Sequence, residues 1–181
     1  CIRDRVCIGT ISDIVPLVDE NRVIAKLGLK LIEQTKNIGL RTLLNIANFK
    51  KIDSNAISFG VAPRINACGR MGAQEEALKL FLTEDKQEAL KIAKNLVKFN
   101  QERQNTEKQI FEDVIQEIEK NNDKEKKCIV LAKENWHHGI IGIVSSKVTE
   151  MYYKPSILIC LEGDMGKGSG RSCLLYTSDA A

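Results

Sequence analysis

The sequence predicts an α/β protein organised in three successive regions, on three observations. In residues 1–83, short apolar runs alternate with stretches of helical periodicity. Residues 84–127 contain no glycine or proline, which is typical of one long helix followed by a charged linker. In residues 128–172 an apolar strand, a helix and a second apolar strand follow one another, which predicts a small parallel or mixed sheet.

The first region predicts one strand and several short helices. Residues 6–11 (VCIGTI) form an apolar run that predicts a buried strand, and Asp13 would lie just beyond its carboxyl end. The segment APRINACGRMG predicts an irregular, glycine-bearing stretch after a helix or turn at 53–60. Apolar residues at helical spacing predict further helices, the first with Asn21 as its N-cap, over residues 21–34, 39–48 and 73–82.

The long helix, which Thr83 can cap, has an apolar face with a polar interruption. The apolar positions are Leu90, Ala93 and Val97, and then Ile110 or Phe111, Val114 and Ile118. Between them the same face carries Asn100, Arg103 or Gln104, and Glu107. This pattern fits a helix that crosses solvent between two lobes, and it equally fits polar turns that line a cleft, so both interpretations stay open.

Length and composition exclude several classes of protein. The 181 residues suffice for one domain or two small ones, and no apolar run is long enough to predict a membrane span. The chain begins CIRDRVCIGT, without Met or the order of a signal peptide, so we expect a fragment of a longer protein. The six cysteines form no C-x-x-C pair, which favours reduced thiols in the cytoplasm over a disulfide framework.

The overall charge gives little support for a broad nucleic-acid-binding surface. The formal net charge is +3 and is spread evenly along the chain. Aromatic residues make up 5% of the sequence, which argues against a surface that stacks many bases. Anion binding is therefore expected at local motifs.

Two motifs in the first region are candidates for such chemistry. Asp13 at the end of a strand would lie where open α/β sheets bind ligands, although for a single Asp taken alone a turn or capping role is favoured. Arg64 and Arg70 flank a segment with interleaved apolar residues. Arginine suits bidentate phosphate contact, and two surface arginines in a loop are the simpler alternative.

Two further motifs lie in the third region. In WHHGIIG, His137 and His138 precede a helix N-terminus, where anions are favoured, so either could donate to a phosphate, bind a metal or only cap the helix. GKGSGRS combines glycines with Lys167, Arg171 and two serines. It lacks the P-loop order, and its composition predicts a phosphate-binding loop rather than a merely flexible one.

Together the motifs resemble the RecJ family of single-strand-specific exonucleases, within the DHH phosphoesterase superfamily. GTISDIVPLVDENR, APRINACGRMG, FNQERQNTEKQI, WHHGIIGIVSSKVTE, YYKPSILI and GKGSGRS occur in the family's order over residues 8–172. The resemblance implies the C-terminal part of a DHH domain (1–83), a connecting helix and linker (84–127) and part of a DHH-associated α/β domain (128–172). The active site would lie in the cleft between the domains.

The resemblance also implies roles for individual residues. Asp13 resembles the family's last metal-ligand aspartate, and would be both a metal ligand and a catalytic residue. The residues implied to bind the DNA are Arg64, Asn66 and Arg70, then Asn100 and Arg103 of the connecting helix, and His137. Glu102 matches the family's polar turns of this helix, and Gly139 matches its W-H-x-G element. The residues implied to recognise the terminal 5′ phosphate are Gly168, Ser169, Arg171 and Ser172.

The implied reaction is hydrolysis of single-stranded DNA from its 5′ end with two divalent ions, Mn²⁺ or Mg²⁺, in recombination and repair. A single-strand-binding protein or a helicase would be its partner. Alternatives are a phosphodiesterase acting on oligonucleotides or cyclic dinucleotides, and a non-catalytic nucleic-acid-binding relative. Because the DHH motif and the other upstream metal motifs are missing, we expect the isolated chain to be inactive.

Two features depart from the family pattern. His138 stands where relatives commonly have proline, so no role is assigned to it, and the pair His137–His138 is not the DHH motif. Residues 173–181 (CLLYTSDAA) do not continue the pattern, and we expect a non-native tail there.

Overall fold

The computed structural model describes residues 2–172, so the predicted non-native tail lies outside the described residues. The chain divides into two compact units, a first up to Gln101 and a second from Glu102 onward. Among the helices of residues 2–172, none has the length and apolar character needed to cross a lipid bilayer.

The described part of the first unit is helical throughout. Its helices are α1 (Ile2–Ser12), α2 (Asp19–Glu33), α3 (Ile38–Ala47), α4 (Ala62–Arg70), α5 (Gln74–Leu82) and the beginning of α6 (Lys86–Asn121). A π-helical turn, Ala56–Val61, leads directly into α4. The helices predicted at 21–34, 39–48, 73–82 and 84–120 are therefore confirmed.

The strand predicted at residues 6–11 is wrong, because this segment lies within α1. The buried residues of α1 are Asp4, Cys7, Ile8 and Ile11, at helical intervals of three and four. A six-residue apolar run cannot by itself distinguish a buried strand from a buried helix. Asp13 consequently follows the end of a helix and does not lie at the carboxyl edge of a sheet.

The segment APRINACGRMG is α4 rather than an irregular stretch. Pro63 lies just after the π-helical turn, where the helical hydrogen-bond pattern changes, so its missing N–H falls at an irregular point of a continuous helix. Gly69 is tolerated near the end of the helix, and Gly72, with φ of +74°, takes the left-handed conformation just beyond it. Proline here marks the change from π-helix to α-helix, and Gly72 marks the end of the helix.

The predicted N-caps are also corrected. Helix α2 begins after Val18, and Asn21 instead donates its amide to the Pro16 carbonyl at 3.2 Å. At α6, Asp85 accepts the Gln87 N–H at 2.8 Å, while Thr83 accepts the N–H of Asp85 itself. In both cases a neighbouring residue begins the helix, which periodicity alone does not resolve.

The first unit is held together by close helix approaches at glycines. A Cβ on Gly28 of α2 would lie 2.2 Å from the Cβ of Cys7 in α1. A Cβ on Gly39 of α3 would lie 1.7 Å from the carbonyl oxygen of Leu80 in α5. No side chain fits at either position, so these glycines set how closely the helices pack.

Helix α6 uses a slightly different apolar face from the predicted one. Ala89, Ile92 and Leu96 are buried with Ala93, whereas Leu90 is 37% exposed. Toward its carboxyl end the predicted positions Ile110, Val114 and Ile118 are all buried. Ile92 and Leu96 have the same helical spacing as the positions predicted from the sequence. Periodicity alone therefore does not decide which of the two neighbouring faces is buried.

The second unit contains a mixed sheet, as the sequence predicts. Its elements after α6 are β1 (Ile129–Glu134), α7 (His138–Tyr152), β2 (Ser156–Glu162) and β3 (Met165–Arg171). Strands β1 and β2 pair in parallel across the α7 connection, and β2 and β3 pair antiparallel. Helix α7 packs on β2 and β3, and the opposite face of the sheet leaves Val130, Ile157 and Leu161 partly exposed.

Candidate nucleic-acid interface

The predicted phosphate-binding loop is a strand, β3, and its two faces differ in chemistry. Ser169 pairs with Leu158 and Arg171 with Ser156, and both partners are fully buried on the side of α7. Ser169 and Arg171 therefore lie on the α7 face, and Gly168 lies on the opposite one. Because β3 is an extended strand paired with β2, its glycines do not curve the backbone around an anion as a phosphate-binding loop would, and the side chains on the α7 face are the candidate contacts.

Arg171 is the centre of a polar cluster between β3 and α7. Its Nε donates to Ser146 Oγ at 3.2 Å, and its Nη1 donates to Ser169 Oγ at 3.2 Å and to the Gly170 carbonyl at 2.7 Å. Within residues 2–172 no carboxylate forms an ion pair with Arg171, which is exposed. The hydroxyl groups fix the guanidinium without neutralising it, which suits an anionic ligand. Ser172, also predicted for this site, follows β3 directly and is partly buried.

Gly142 makes room for this cluster on α7. A Cβ at this position would lie 3.0 Å from Ser169 Oγ and 3.3 Å from Arg171 Nη2. Sequence reasoning did not single out Gly142 or Ser146. A glycine inside a helix is a signal for close approach, and GIIGIVSS contains one at the relevant turn.

His137 caps the N-terminus of α7, which is the local role that the sequence analysis left open for it. Its Nδ1 accepts the Gly139 N–H at 3.1 Å. Burial lowers the pKa of His137, and the adjacent His138, whose ring stacks on it at 5.2 Å, lowers that pKa further. The imidazole is therefore neutral at pH 7, with its proton on Nε2, which can still donate to a ligand.

The cationic Lys167 of β3 already has a partner. Its Nζ lies 3.0 Å from Glu162 Oε2, and His138 Nδ1 lies 3.2 Å from the other carboxylate oxygen. The hydrogen bond from Lys167 holds the pKa of Glu162 below its usual range. Because Lys167 is paired in this way, Arg171 is the stronger candidate on β3 for binding an anion.

In the first unit, two predicted site residues share one cavity. Asp13 and Asn66 both line a cavity of about 410 Å³ between α1, α4 and α5, together with Arg5 and Ser12. Asp13 is exposed, and its backbone N–H donates to the Gly9 carbonyl at 3.0 Å at the end of α1. The structure thus brings Asp13 and Asn66 together although 53 residues of sequence separate them.

The two arginines of α4 are arranged differently. The Arg64 guanidinium donates to the Gly60 carbonyl one turn earlier and is partly buried. Arg70 is exposed in the last turn of α4. Neither is among the residues that line the cavity beside Asp13. Arg64 is therefore held by its own helix, and Arg70 is the more accessible of the two.

The residues of the described chain do not form a metal site around Asp13. Within residues 2–172, no three side chains of His, Cys, Asp or Glu converge so that they could hold a metal ion. Divalent Mg²⁺ and related ions are held by several oxygen ligands, usually with carboxylates among them. Asp13 alone does not supply such a set, so no chemical step through a metal is derived from this chain.

The polar turns of α6 contain a buried ion-pair network. Arg103 donates to Glu107, and Lys147 Nζ of α7 lies 2.5 Å from Glu107 Oε1. Glu107 is only 6% exposed, so at this point the helix neither crosses open solvent nor leaves its carboxylate in a cleft. Asn100 and Glu102 are partly buried, and the predicted contact of Asn100 with the DNA stays a prediction.

Comparisons with known proteins identify the class of enzymes to which this chain is homologous. No protein-family model matches the chain. Curated relatives nevertheless match it over nearly its whole length, and they are single-stranded-DNA-specific exonucleases. The chain is thus a homologue of a segment of such nucleases.

The relatives are RecJ, so the resemblance stated from the motifs is confirmed. RecJ of Bacillus subtilis is 36% identical over 173 residues, which are 93% of this chain and 22% of the relative. RecJ of Thermus thermophilus is 36% identical over 171 residues, 93% of this chain and 24% of the relative. The chain therefore spans about a quarter of the length of these two relatives.

Solved structures confirm the predicted fold. The structure of RecJ from Thermus thermophilus in complex with Mn²⁺ is similar, with 35% identity and a TM-score of 0.83. The match covers 94% of this chain and 25% of the chain in that structure. Exonuclease RecJ bound to manganese matches 94% of this chain and 42% of that one, with 35% identity and a TM-score of 0.84. A Mg²⁺ complex of the Thermus protein is also similar, with a TM-score of 0.78.

Proposed function

We propose that this chain contributes the DNA-binding part of a metal-dependent, single-strand-specific exonuclease that works from the 5′ end in recombination and repair. The observation that carries the proposal is the Arg171 cluster. A guanidinium without an ion-pair partner in residues 2–172 is fixed by Ser146 and Ser169 beside the middle of α7. The homology to RecJ exonucleases makes a DNA phosphate the appropriate ligand.

In this proposal the second unit positions the strand end and does not break the bond. The Nε and Nη1 of Arg171 are engaged within the cluster, so its two Nη2–H groups are the donors offered to the oxygens of a terminal phosphate. Ser169 and Ser172 add hydroxyl donors, and the neutral His137 can donate from Nε2. Gly139 donates its N–H to His137, and Gly168 lies on the opposite face of β3 from Arg171, so neither glycine would contact the phosphate directly.

The first unit would contribute to the strand path and to one metal ligand. The cavity shared by Asp13 and Asn66 supports their joint assignment, with Asp13 as a ligand and Asn66 as a hydrogen-bonding group. The neighbouring RecJ structures hold Mn²⁺ or Mg²⁺, and in this chain Asp13 could give such an ion one carboxylate, which favours hard cations. Further strand contacts are assigned to Arg64, Arg70, Asn100 and Arg103.

A non-catalytic nucleic-acid-binding role is the second candidate. The observation that favours it is that no metal-binding group of three side chains exists within residues 2–172. The exonuclease and the non-catalytic binding protein must both bind a single strand, and they differ only in whether the strand is hydrolysed. A measurement of strand binding therefore tests the property that both functions require.

The test is the affinity of the 181-residue chain for two oligodeoxythymidylates, one 5′-phosphorylated and one with a 5′ hydroxyl, measured by fluorescence anisotropy at fixed salt. We expect Arg171→Ala to weaken the 5′-phosphorylated strand about tenfold to a hundredfold, which corresponds to about 1.5–3 kcal/mol for a charge-assisted bond. The 5′-hydroxyl strand should lose less. Arg171→Lys should recover only part, because an ammonium lacks the two-pronged geometry.

The matched control is Arg22→Ala, which removes an exposed arginine of α2. It should leave the ratio of the two affinities unchanged. If Arg171→Ala also leaves that ratio unchanged, Arg171 only follows backbone phosphates and the end-recognition role is wrong. If neither strand binds the chain at all, both candidate functions fail.

A further inference from the structure

A second cationic site lies in the first unit, in a groove along α3 and the beginning of α6. The groove has a volume of about 570 Å³. It includes three cationic side chains and no carboxylate, and it is lined by Lys36, Ile38, Arg41, Thr42, Asn45, Ile46, Lys86, Gln87 and Leu90. None of these residues belongs to the predicted interface.

The cations of the groove are not neutralised by ion pairs. Within residues 2–172, no carboxylate forms an ion pair with Lys36 or Lys86, and both are exposed. Arg41 donates to the Thr35 carbonyl, which fixes its guanidinium at the groove without removing its charge. Three positive charges at one concave surface attract anions more strongly than the small net charge of the chain indicates.

Two acidic residues that flank Lys86 in the sequence are engaged at the start of α6. Asp85, which precedes Lys86, accepts the Gln87 backbone N–H at 2.8 Å as the cap of α6. Glu88 accepts a hydrogen bond from the Thr83 hydroxyl. These carboxylates are therefore held at the helix end, and neither is among the residues that line the groove.

The rest of the lining fits an extended ligand with both charged and apolar parts. Asn45 and Gln87 offer amide groups, while Ile38, Ile46 and Leu90 provide an apolar surface between the cations. From Ile38 to Ile46 the groove follows α3 over about 12 Å. A single strand presents phosphates and weakly polar base and sugar surfaces in alternation, which matches this lining.

We infer that the groove formed by Lys36, Arg41 and Lys86 binds the phosphodiester backbone of single-stranded nucleic acid, as a contact separate from the Arg171 cluster. The inference rests on the proposed function, because a single strand is the ligand that RecJ homology makes appropriate. The groove contact differs from the Arg171 contact in its location. It also differs in kind, since a backbone contact in this groove does not depend on the strand end.

The experiment measures the affinity of the 181-residue chain for both oligodeoxythymidylates as a function of salt. In the variant Lys36→Gln/Lys86→Gln, we expect about tenfold weaker binding at low salt. The slope of log affinity against log salt should fall in magnitude by about 1.4, because each phosphate contact on a single strand contributes about 0.7. Both strands should lose affinity equally, so their ratio should stay unchanged.

The matched control is Lys50→Gln/Lys51→Gln, which removes the same charge from two exposed lysines of the same unit that do not line the groove. It should change the salt slope little. All four lysines are exposed, so circular dichroism is expected to report unchanged folding. If the two double variants lose affinity equally, the groove has no specific role and the inference is overturned.

Two further outcomes separate this inference from the proposed function. If the Arg171 variants change the affinity ratio but the groove variant matches its control, the inference alone fails. If polyglutamate of equal charge displaces the strand more readily from the wild-type chain than from the groove variant, the groove is a general anion site and the assignment to nucleic acid is wrong.

Discussion

Lys147 of α7 contacts Glu107 of α6, with 2.5 Å between Nζ and Oε1. Glu107 also accepts a hydrogen bond from Arg103, four residues earlier on its own helix. The carboxylate is buried, whereas Lys147 is half exposed, so one acidic group holds two cations against each other's repulsion. This pair ties the second half of α6 to α7 within the second unit.

Replacing Glu107 by Gln should destabilise the second unit by about 1–3 kcal/mol, because two cations lose their shared counter-charge at a buried position. Urea unfolding followed by the fluorescence of Trp136 measures this, since Trp136 is the single tryptophan and is buried in this unit. The control is Glu112→Gln on the same helix, whose pair with Lys108 is exposed at 3.8 Å. It should cost less than about 0.5 kcal/mol, and equal losses in both variants would contradict the structural role of Glu107.

Gly142→Ala should weaken strand binding without weakening the fold. The new Cβ displaces the ends of Ser169 and Arg171, and a side chain forced from its preferred rotamer costs about 0.5–1.5 kcal/mol, or about two- to tenfold in affinity. Alanine is also the better helix former, so the thermal midpoint should be unchanged or higher. Anisotropy and thermal unfolding measure the two effects.

A combined variant tests whether Gly142 acts through Ser169 and Arg171. In the Ser169→Ala/Arg171→Ala background, Gly142→Ala should cost no further affinity, because both side chains that it displaces are gone. An additive loss would show that Gly142 serves another contact.

The second unit should lose stability in acid through Asp113. Burial alone would raise the pKa of this carboxyl, but hydrogen bonds from Lys133 at 2.5 Å and from Trp136 at 2.7 Å outweigh it and lower the pKa. A pKa lowered by folding means that the native state binds fewer protons than the unfolded chain. The stabilisation is therefore complete above the unfolded pKa, near about 4, and is lost as pH falls through the lower native value.

Asp113→Asn should flatten this acid dependence. The amide cannot titrate, so the free energy of unfolding, followed by Trp136 fluorescence in acid titrations from neutral pH downward, should fall less steeply than in the wild type. At neutral pH the variant should already be less stable, because Lys133 loses its closest carboxylate. An unchanged pH profile would assign the acid sensitivity to other carboxyls.

The 181-residue chain should bind single strands but not hydrolyse them when Mn²⁺ is added. The reason is that Asp13 has no partner ligands within residues 2–172 to complete a metal-binding group. The assay follows labelled single-stranded DNA on gels, with complete Thermus thermophilus RecJ as the positive control. Steady release of nucleotides by the purified chain would contradict the argument from missing ligands.

Periodicity predicted most of the helices, and it failed where an apolar segment is short. The run around Cys7 and Ile8 fits both a strand and a helix, and the helix is selected by distant contacts, such as that of the buried Asp4 with the hydroxyl of Thr35, 31 residues away. That contact is tertiary, so no local pattern contains it. The long helix was recognisable because nothing in its 36 residues interrupts helical geometry.

The site was predictable in composition but not in geometry. GKGSGRS indicated anion chemistry by residue type, yet its glycines predicted a loop where the chain forms a strand. Glycines in a strand are usually unfavourable, and here pairing with β2 overrides that preference. The contribution of α7 through Gly142 and Ser146 depends on how the helix packs on the sheet, which sequence spacing does not give.

The antiparallel pairing of β2 and β3 is set by a two-residue connection. Glu162 pairs with Met165, so only Gly163 and Asp164 lie between the strands, and Gly163, with φ of +58°, takes a conformation that favours glycine. A connection longer or shorter by one residue would shift β3 by one position against β2 and turn Ser169 and Arg171 to the opposite face, away from Ser146. The length of this short turn therefore decides whether the anion-binding side chains of β3 meet α7 at all.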